Sequence, residues 1–543
     1  MKKNSFLQGA FIATFGIVLS KILGIIYVIP FYSVVGSQGG ALYGYAYSIY
    51  TIFLGISQAG IPVAIAKIIS EYNTLGYNEI KERTFKLGKK VLTILGIVCF
   101  LIMFIFARVL ANIIIGTISG GNTIDDVTFV IRIISFALLI VPLISIYRGY
   151  FEGHKFITPA STSQVIEQIV RVLIIVIGSY LTLNIFHLSL TTTIGVAVFS
   201  ATVGALISYF YLLIKTKRNS NLFEKKDTAT KKIIISNKEI IIKILTYAFP
   251  FVMIDIFRSL INSVDVFMLI KVLVNNLGYS ITKAEEVMSV ISTWGQKINM
   301  IVISICSGII VSLVPNLTSS FVRKDFKDVN LKINQAIQWT AYLTIPMTIG
   351  ISFLASPIWT VFYGTNTLCI SVYKYYVFVA LSNVIFTVGV VSLQLLQEHK
   401  KVLLYLTIGL LTNALLNIPL LHLFDYLKLP AYYGSTTATI LGYSICGILS
   451  LKYIKKKYNI NYKDTFIKLS KIISISIIMI VVLLTIKHFF PFTSTNRLVN
   501  IVYIAIYTLI GSAIYLFVSF KSKLAYQIFG NNILSSIKNK IRH

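Results

Sequence analysis

The chain has 543 residues, of which 56% are hydrophobic and only 13% are charged, and its mean hydropathy is +0.81. Soluble domains contain about 25% charged residues, so this composition excludes a soluble protein and indicates a polytopic membrane protein. The formal net charge of +30 would suggest nucleic-acid binding in a soluble chain. Here the 49 Lys and Arg residues are dispersed over many connecting segments. This dispersal argues against nucleic acid as a partner and fits attraction to anionic membrane lipids.

Apolar runs long enough to cross a bilayer recur along the whole chain. A transmembrane helix needs about 20 predominantly apolar residues. Fourteen segments meet this condition, at 6–32, 42–66, 90–112, 128–150, 160–182, 191–214, 244–274, 284–316, 336–355, 371–397, 402–422, 434–454, 469–490 and 499–520. The connecting segments alternate between stretches rich in Lys and Arg and stretches with almost none. Because cytoplasmic loops carry the excess of basic residues, this alternation predicts that both termini are cytoplasmic.

The first twelve predicted spans form two sets of six. The longest hydrophilic stretch, 215–243, follows the sixth span and is rich in Lys. Similar strings end corresponding helices of the two sets: GIPVAIAKIISE with Pro62 and LVPNLTSSFVRK with Pro315, then YFEGHK with His154 and LLQEHK with His399. An even number of spans preserves orientation, so the repeat is parallel, which is typical of transporters whose substrate site lies between the halves.

The predicted fold is therefore an all-α polytopic membrane protein with a repeated six-helix bundle. We predict an N-terminal bundle at 1–214, a basic cytoplasmic linker at 215–243 and a C-terminal bundle at 244–455. The segment 456–543 contains two additional helices and a basic cytoplasmic tail, and the additional helices have no counterpart in the repeat.

Three strings of the chain are similar to a known family: SKILGIIYVIPFYSVVG, LYGYAYSIYTIFLGISQAGIPVAIAKIISEYNTLG and YRGYFEGHKFITPASTSQVIEQIVR. They resemble the YtgP and stage V sporulation protein B branch of the multidrug/oligosaccharidyl-lipid/polysaccharide exporter superfamily, over nearly the full length. More distantly, SKILG at Ser20 to Gly24 resembles MurJ-type lipid II flippases. The resemblance implies a bacterial plasma-membrane protein with a 6+6 bundle, a central cavity and two helices that form a lipid-facing groove. Its implied task is to move undecaprenyl-pyrophosphate-linked precursor, lipid II, from the inner to the outer leaflet.

Two lysines lie deep within predicted spans, where an ionisable side chain is costly and by default faces an internal cavity. Lys21 belongs to the first span and Lys297 to the eighth. The alternative for each is an ammonium that reaches the membrane interface along its flexible stem. In the MurJ-type proteins that the chain resembles, the Lys21 position is an arginine implicated in substrate binding, and a cavity arginine lies near Lys297. A second arginine of that pattern is replaced by Tyr27 here. Two cations would suit a pyrophosphate.

Further charged residues lie on the fourth and fifth predicted spans. Glu167 precedes Arg171 by four residues, the order that favours an intrahelical ion pair. We expect the two side chains to neutralise one another, and direct contact with substrate is the alternative. Arg148 lies at the end of the fourth span, where it is suited either to substrate access or to anchoring at the interface.

The seventh span contains Asp255, Arg258 and Asp265. Asp255 and Arg258 can pair at i, i+3, whereas Asp265 has no basic residue three or four positions away. A carboxylate at membrane depth can bind Na⁺ or carry a proton, so we expect Asp265, with Asp255, to couple transport to an ion gradient or to the membrane potential. Arg258 is a further candidate substrate ligand.

The sequence contains no Walker motif, catalytic triad or metal-binding constellation, so we predict neither an enzyme nor a bound metal or cofactor. We predict a flippase for lipid II or a related lipid-linked oligosaccharide that works by alternating access. Its partners are that substrate, membrane lipids and the cell-wall synthesis machinery. One alternative is a drug or cation antiporter of the same superfamily, for which twelve spans and an acidic cavity are expected. The other is a non-transporting scaffold of cell-wall assembly, which gains nothing from charges at membrane depth.

Overall fold

The computed structural model describes residues 19–20, 23–25, 27–58, 60–75, 77–116, 121–154, 156–220, 235–492 and 494–529. All regular structure within these ranges is helical, which confirms the predicted all-α fold. A helix satisfies its backbone hydrogen bonds internally, so it is the form that an apolar chain adopts in lipid. The chain forms two compact units, of which the first ends at Trp294 and the second begins at Gly295.

The first unit contains ten α-helices among the described residues, and short π-helical turns extend three of them. The helices are α1 (Val28–Gln58), α2 (Ile61–Leu75), α3 (Asn78–Ile105), α4 (Ala107–Ile115), α5 (Ile124–Ser135), α6 (Ala137–Gly153), α7 (Ile157–Leu173), α8 (Leu190–Arg218), α9 (Asn237–Lys271) and α10 (Ile281–Ser289). The π-helical turns are Ile174–Gly178, Leu181–Ile185, Val272–Asn276 and Val290–Trp294.

The predicted boundary between the first two spans is a kink in the structure, not a loop. Gly36 has φ 61° and ψ −160° within α1, a conformation that strains any side chain, and helix continues on both sides of it. The predicted second span, 42–66, is in turn interrupted at Gly60, where φ is +69°. A Cβ at Gly60 would lie 2.3 Å from Cβ of Phe251, so close packing of α9 also requires glycine there.

Glycines also set the distance between α6 and α2. A Cβ added at Gly149 would lie 2.5 Å from the carbonyl oxygen of Pro62, and one at Gly153 would lie 2.9 Å from that of Ala66. Small residues allow helix backbones to approach closely, which is how membrane helices pack without a hydrophobic driving force. The YRGYFEG string therefore places α6 against α2, and this contact fixes the direction in which Arg148 leaves α6.

The second unit contains the other ten described helices. They are α11 (Gly295–Val322), α12 (Phe326–Phe353), α13 (Ala355–Tyr363), α14 (Thr367–Tyr376), α15 (Phe378–Leu395), α16 (His399–Tyr426), α17 (Tyr432–Tyr458), α18 (Lys463–Phe489), α19 (Arg497–Lys521) and α20 (Leu524–Phe529). The chain bends by 73° between α12 and α13. Helices α18 and α19 expose many large apolar side chains, such as Val481, Leu509 and Phe517, which fits helices that face lipid.

The number of membrane spans is lower than predicted within the described ranges. Eleven helices are long and apolar enough to cross a membrane, or twelve if the bent pair α12 and α13 is one span. The predicted first span lies largely outside the described residues, and the predicted eighth span corresponds to a helical path from Ile281 to Val322 that is not among the eleven. The count of fourteen, the four predicted domains and the orientation of the termini therefore stay predictions.

Candidate functional site

A polar network joins three helices in the interior of the first unit. The Nη2 group of Arg148, on α6, lies 2.7 Å from Oε2 of Glu167 on α7, and Nε donates to Oγ of Ser163 at 2.9 Å. Nη2 also donates to Oγ of Ser208 on α8 at 3.4 Å. The Arg148 and Glu167 side chains are 23% and 20% exposed, so the pair is shielded but still reachable by solvent. Charge-assisted bonds of this kind fix the guanidinium in one orientation.

The predicted pairing of Glu167 with Arg171 is wrong. The carboxylate of Glu167 bonds Arg148 on the neighbouring helix, and no ion pair joins it to Arg171 among the described residues. The spacing of four residues favoured the intrahelical pair, which contributes only about 0.2–0.5 kcal/mol in isolated helices. The pair with Arg148 prevails because the same guanidinium also donates hydrogen bonds to Oγ of Ser163 and Oγ of Ser208.

Arg171 turns away from Glu167 and toward α1. Its Nη2 group donates a hydrogen bond to the hydroxyl of Tyr47, and its Cζ lies 5.2 Å from the centroid of the same ring. The Nε and Nη1 groups donate no hydrogen bond to the described residues. Arg171 is partly exposed. It is therefore a cation that is held by one aromatic side chain and keeps donors available for an anion.

Tyrosines of α1 form the support beneath Arg171. Tyr43 and Tyr47 stack with their ring centroids 4.4 Å apart and an interplanar angle of 19°. Tyr50 meets Tyr47 edge to face at 5.6 Å, and Phe31 meets Tyr43 at 5.6 Å. Tyr43, Tyr47 and Tyr50 follow the i, i+4, i+7 spacing of one helix face. This stripe in LYGYAYSIY is the sequence signal that could have indicated the site, and it is absent from the residues predicted above.

Gly24, the last residue of the SKILG string, lies close to α7. A Cβ at Gly24 would lie 3.5 Å from Nε2 of Gln168, the residue after Glu167. Lys21, three positions before Gly24 in the sequence, lies outside the described residues. Its role as a substrate ligand stays a prediction.

The remaining predicted residues lie on α9 and α11. Asp255 and Arg258 are half-buried on α9, and Asp265, further along the same helix, is 2% exposed. Helix α9 packs on α1, where Oγ of Ser263 lies 3.4 Å from the carbonyl oxygen of Ser48. Within the first unit, α1 thus contacts both the arginine of α7 and the helix that carries the carboxylates. Lys297 belongs to the second unit, half-buried on α11.

The chain matches a known family over residues 6–303, the family described as polysaccharide biosynthesis protein. The matched segment is more than half of the chain. The chain belongs to the polysaccharide biosynthesis protein family. This membership and the relatives below confirm the resemblance that the three sequence strings indicated.

Curated relatives of this family member come from Bacillus subtilis (strain 168). The protein named lipid II flippase MurJ is 31% identical over 98% of this chain and 98% of its own length. The uncharacterized membrane protein YabM is 25% identical over 66% of this chain and 64% of its own length. Stage V sporulation protein B is 24% identical over 42% of each chain.

Solved structures share the fold of this polysaccharide biosynthesis family member. A structure of lipid II flippase MurJ in an inward closed conformation superposes with a TM-score of 0.67, at 18% identity, and covers 95% of this chain and 99% of that one. An inward-facing multidrug resistance transporter of the MATE family has a TM-score of 0.64 at 13% identity, and covers 83% of this chain and 98% of that one. The chain therefore has the all-helical fold of these transporters.

Proposed function

We propose that the protein moves an undecaprenyl-pyrophosphate-linked cell-wall precursor, lipid II or a related lipid-linked oligosaccharide, from the inner to the outer leaflet of a bacterial plasma membrane. The observation that carries the proposal is the relative named lipid II flippase MurJ, which is 31% identical over 98% of both chains. The arginine site of the first unit supports it, because a partly exposed guanidinium with available donors suits a pyrophosphate.

The site residues have two proposed roles: some contact the pyrophosphate, and others hold the contacting helix in position. Arg171 is the proposed pyrophosphate ligand, with Lys21 and Lys297 as further cations and Arg258 as an additional candidate. Arg148 already donates hydrogen bonds to Glu167, Ser163 and Ser208. Its role, and that of Glu167, is therefore to position α7 and not to contact the substrate. The cycle is alternating access, in which the headgroup is captured on one side and released on the other.

The proposal is tested by Arg171→Gln in vesicles reconstituted with labelled lipid II. Loss of one charged hydrogen bond costs about 1.5–3 kcal/mol, so headgroup binding should weaken roughly ten- to a hundredfold. Arg171→Lys should retain part of the activity, because the charge stays and the planar fork is lost.

The matched control is Arg132→Gln. Arg132 is an exposed arginine on α5 whose Cζ lies 5.5 Å from the ring centroid of Phe104. Its loss should leave translocation unchanged. Wild-type lipid II translocation by Arg171→Gln would contradict the assigned site. Export of an organic cation with no lipid II translocation by the wild-type protein would favour the antiporter and contradict the function itself.

Ion coupling through α9 is a separate part of the proposal. The Asp265 side chain is buried, at 2% exposure. A buried carboxylate within a membrane span can bind and release a proton or Na⁺, which changes the charge inside the helix bundle. Asp265→Asn should remove the response of transport to an imposed membrane potential or Na⁺ gradient, and Asp255→Asn should reduce it. The exposed Asp425 of α16 provides the control, since Asp425→Asn should change nothing. An unaltered response in Asp265→Asn vesicles would contradict the coupling role.

A further inference from the structure

A polar pocket of about 420 Å³ lies in the second unit. Residues from the start of α12, the connection between α17 and α18, the start of α18 and the end of α20 line it. Its most unusual property is the number of side-chain amides, which both donate and accept hydrogen bonds. The amides are Asn330, Asn334, Gln335, Gln338, Asn461 and Gln527.

Hydrogen bonds between the elements hold the amide wall in place. Nδ2 of Asn334 donates to the carbonyl oxygen of Asn461 at 3.1 Å, and the backbone N–H of Asn461 donates to Oδ1 of Asn330 at 3.2 Å. Nε2 of Gln338, which is 4% exposed, donates to Oγ1 of Thr465 at 2.7 Å. Because α12 and α18 are tied together in this way, the pocket is formed before any ligand arrives, which lowers the cost of binding.

Lysines place positive charge at the pocket. Nζ of Lys468, a side chain only 13% exposed, lies 2.6 Å from Oδ2 of Asp464 and 3.3 Å from Oε1 of Gln338. Lys327 is exposed at the rim, and Lys471 donates to Oε1 of Gln527 at 3.4 Å. The Asp464 side chain is 71% exposed, so it holds Lys468 weakly and can exchange places with an incoming anion.

Large apolar side chains are exposed next to the pocket. Phe466 and Ile467 of α18 are 64% and 57% exposed, and Leu331 in the pocket wall is 51% exposed. The pocket residues of α18 are in its first turns, just before the apolar stretch predicted to begin at 469. A polar cavity beside exposed apolar side chains at a predicted span boundary suits a lipid, whose headgroup is polar and whose chains are apolar.

We propose that this pocket binds the phosphate-bearing, hydroxyl-rich headgroup of an anionic glycerolipid. Lys327 and Lys468 contact the phosphate, and the amides and Asp464 bond the hydroxyls. The acyl chains lie along the exposed face of α18 beside Phe466. The site is independent of the proposed transport substrate and would attach α18 and α20 to α12 through a lipid.

The test is lipid retention by the full chain in detergent, measured by native mass spectrometry with added phosphatidylglycerol or phosphatidylcholine. The Lys327→Gln/Lys468→Gln variant should bind phosphatidylglycerol about tenfold more weakly, from the loss of charged hydrogen bonds. Lys452→Gln/Lys455→Gln is the matched control, because it removes the same charge from exposed positions of α17. It should bind like wild type.

A second variant avoids disturbing the Lys468 contacts. Gln335→Glu keeps the size of a half-buried pocket side chain and adds a negative charge, so it should also reduce phosphatidylglycerol binding. Equal binding of both lipids by the wild-type protein, or wild-type binding by both pocket variants, would overturn the proposal. Soluble glycerol 3-phosphate that binds as tightly as the lipid would show a free phosphate ligand and overturn the assignment to a lipid.

Discussion

The fifth and sixth spans of the predicted repeat are α7 and α8 in the first unit and α16 and α17 in the second. The polar contacts of these two helix pairs differ in kind. The first pair is joined through Arg148 of α6, a largely shielded guanidinium that bonds Glu167 on α7 and Ser208 on α8. The second pair is linked by neutral side chains that are buried, among them Asn413, where Oγ1 of Thr439 lies 3.3 Å from Oδ1. The charged side chains thus lie where solvent or a ligand can reach them, and the neutral amide side chains lie where the helix interface is buried from water.

The backbones approach equally closely in both pairs. A Cβ at Gly204 of α8 would lie 2.8 Å from the carbonyl oxygen of Glu167, and one at Gly442 of α17 would lie 2.8 Å from that of Gly409. Close approach by small residues is therefore common to the two pairs. The difference between the two pairs is in the side chains, which are ionic at the first pair and neutral at the second.

The largest expected effect comes from removing Glu167. Glu167→Ala leaves the guanidinium of Arg148 without its carboxylate, which should cost about 1–3 kcal/mol of stability and reduce translocation, because α7 carries Arg171. Asn413→Ala, the counterpart in the second pair, should lower thermal stability but keep the translocation rate of each folded molecule.

The measurements for this prediction are thermal unfolding in detergent and lipid II translocation in vesicles. Glu167→Gln/Arg148→Gln should lose less stability than the sum of the single variants, because the two residues share one network. Equal loss of translocation in Glu167→Ala and Asn413→Ala would contradict the distinction between the two helix pairs.

The two glycines provide a second comparison, in which the expected loss of function is smaller because no charge is removed. An added methyl group in a packed contact costs about 1–3 kcal/mol, so Gly204→Ala and Gly442→Ala should destabilise the protein by similar amounts. Only Gly204→Ala should also weaken headgroup binding, because the methyl group displaces the turn of α7 that carries Glu167 and Arg171. Binding and thermal unfolding measured on the same preparations would decide this, and loss of binding in Gly442→Ala alone would refute it.

The smallest expected effect concerns the turns that precede the two pairs. Before α16, burial pushes the pKa of Glu398 upward, but hydrogen bonds from Lys457, Tyr458 and Tyr453 outweigh it and leave the pKa below its ordinary value. Before α7, the aligned residue of EGHK is Gly153. A lowered carboxyl pKa stabilises the fold above the unfolded pKa, and this stability is lost as the pH falls through the folded value.

Glu398→Gln should therefore be less stable than wild type at neutral pH, by about 0.2–1 kcal/mol because Lys457 is half exposed. The difference in melting temperature should shrink as the pH falls below about 4.3, the ordinary carboxyl pKa. A difference that stays constant down to strongly acidic pH would show that Glu398 does not titrate in this way.

Sequence reasoning predicted the helical class, the family and most span positions, because a bilayer imposes one length and one composition on every helix that crosses it. It named Arg148, Glu167 and Arg171 as candidate residues because they are charged and lie within or at the end of predicted spans. It paired Glu167 with the wrong arginine, because spacing along one helix says nothing about a partner on the next. It also missed Tyr47, because an aromatic stripe reads equally as core packing.

The sequence by itself determined that this is a multi-pass membrane protein of the polysaccharide biosynthesis family, since hydrophobicity, basic alternation and family motifs are properties of consecutive residues. Only the tertiary structure decided that Arg148 is neutralised by Glu167, that Arg171 rests on the tyrosines of α1, and that amides far apart in the chain line one pocket. The physical reason is that these contacts join different helices, whose relative rotation and separation depend on glycine approaches that no single segment encodes.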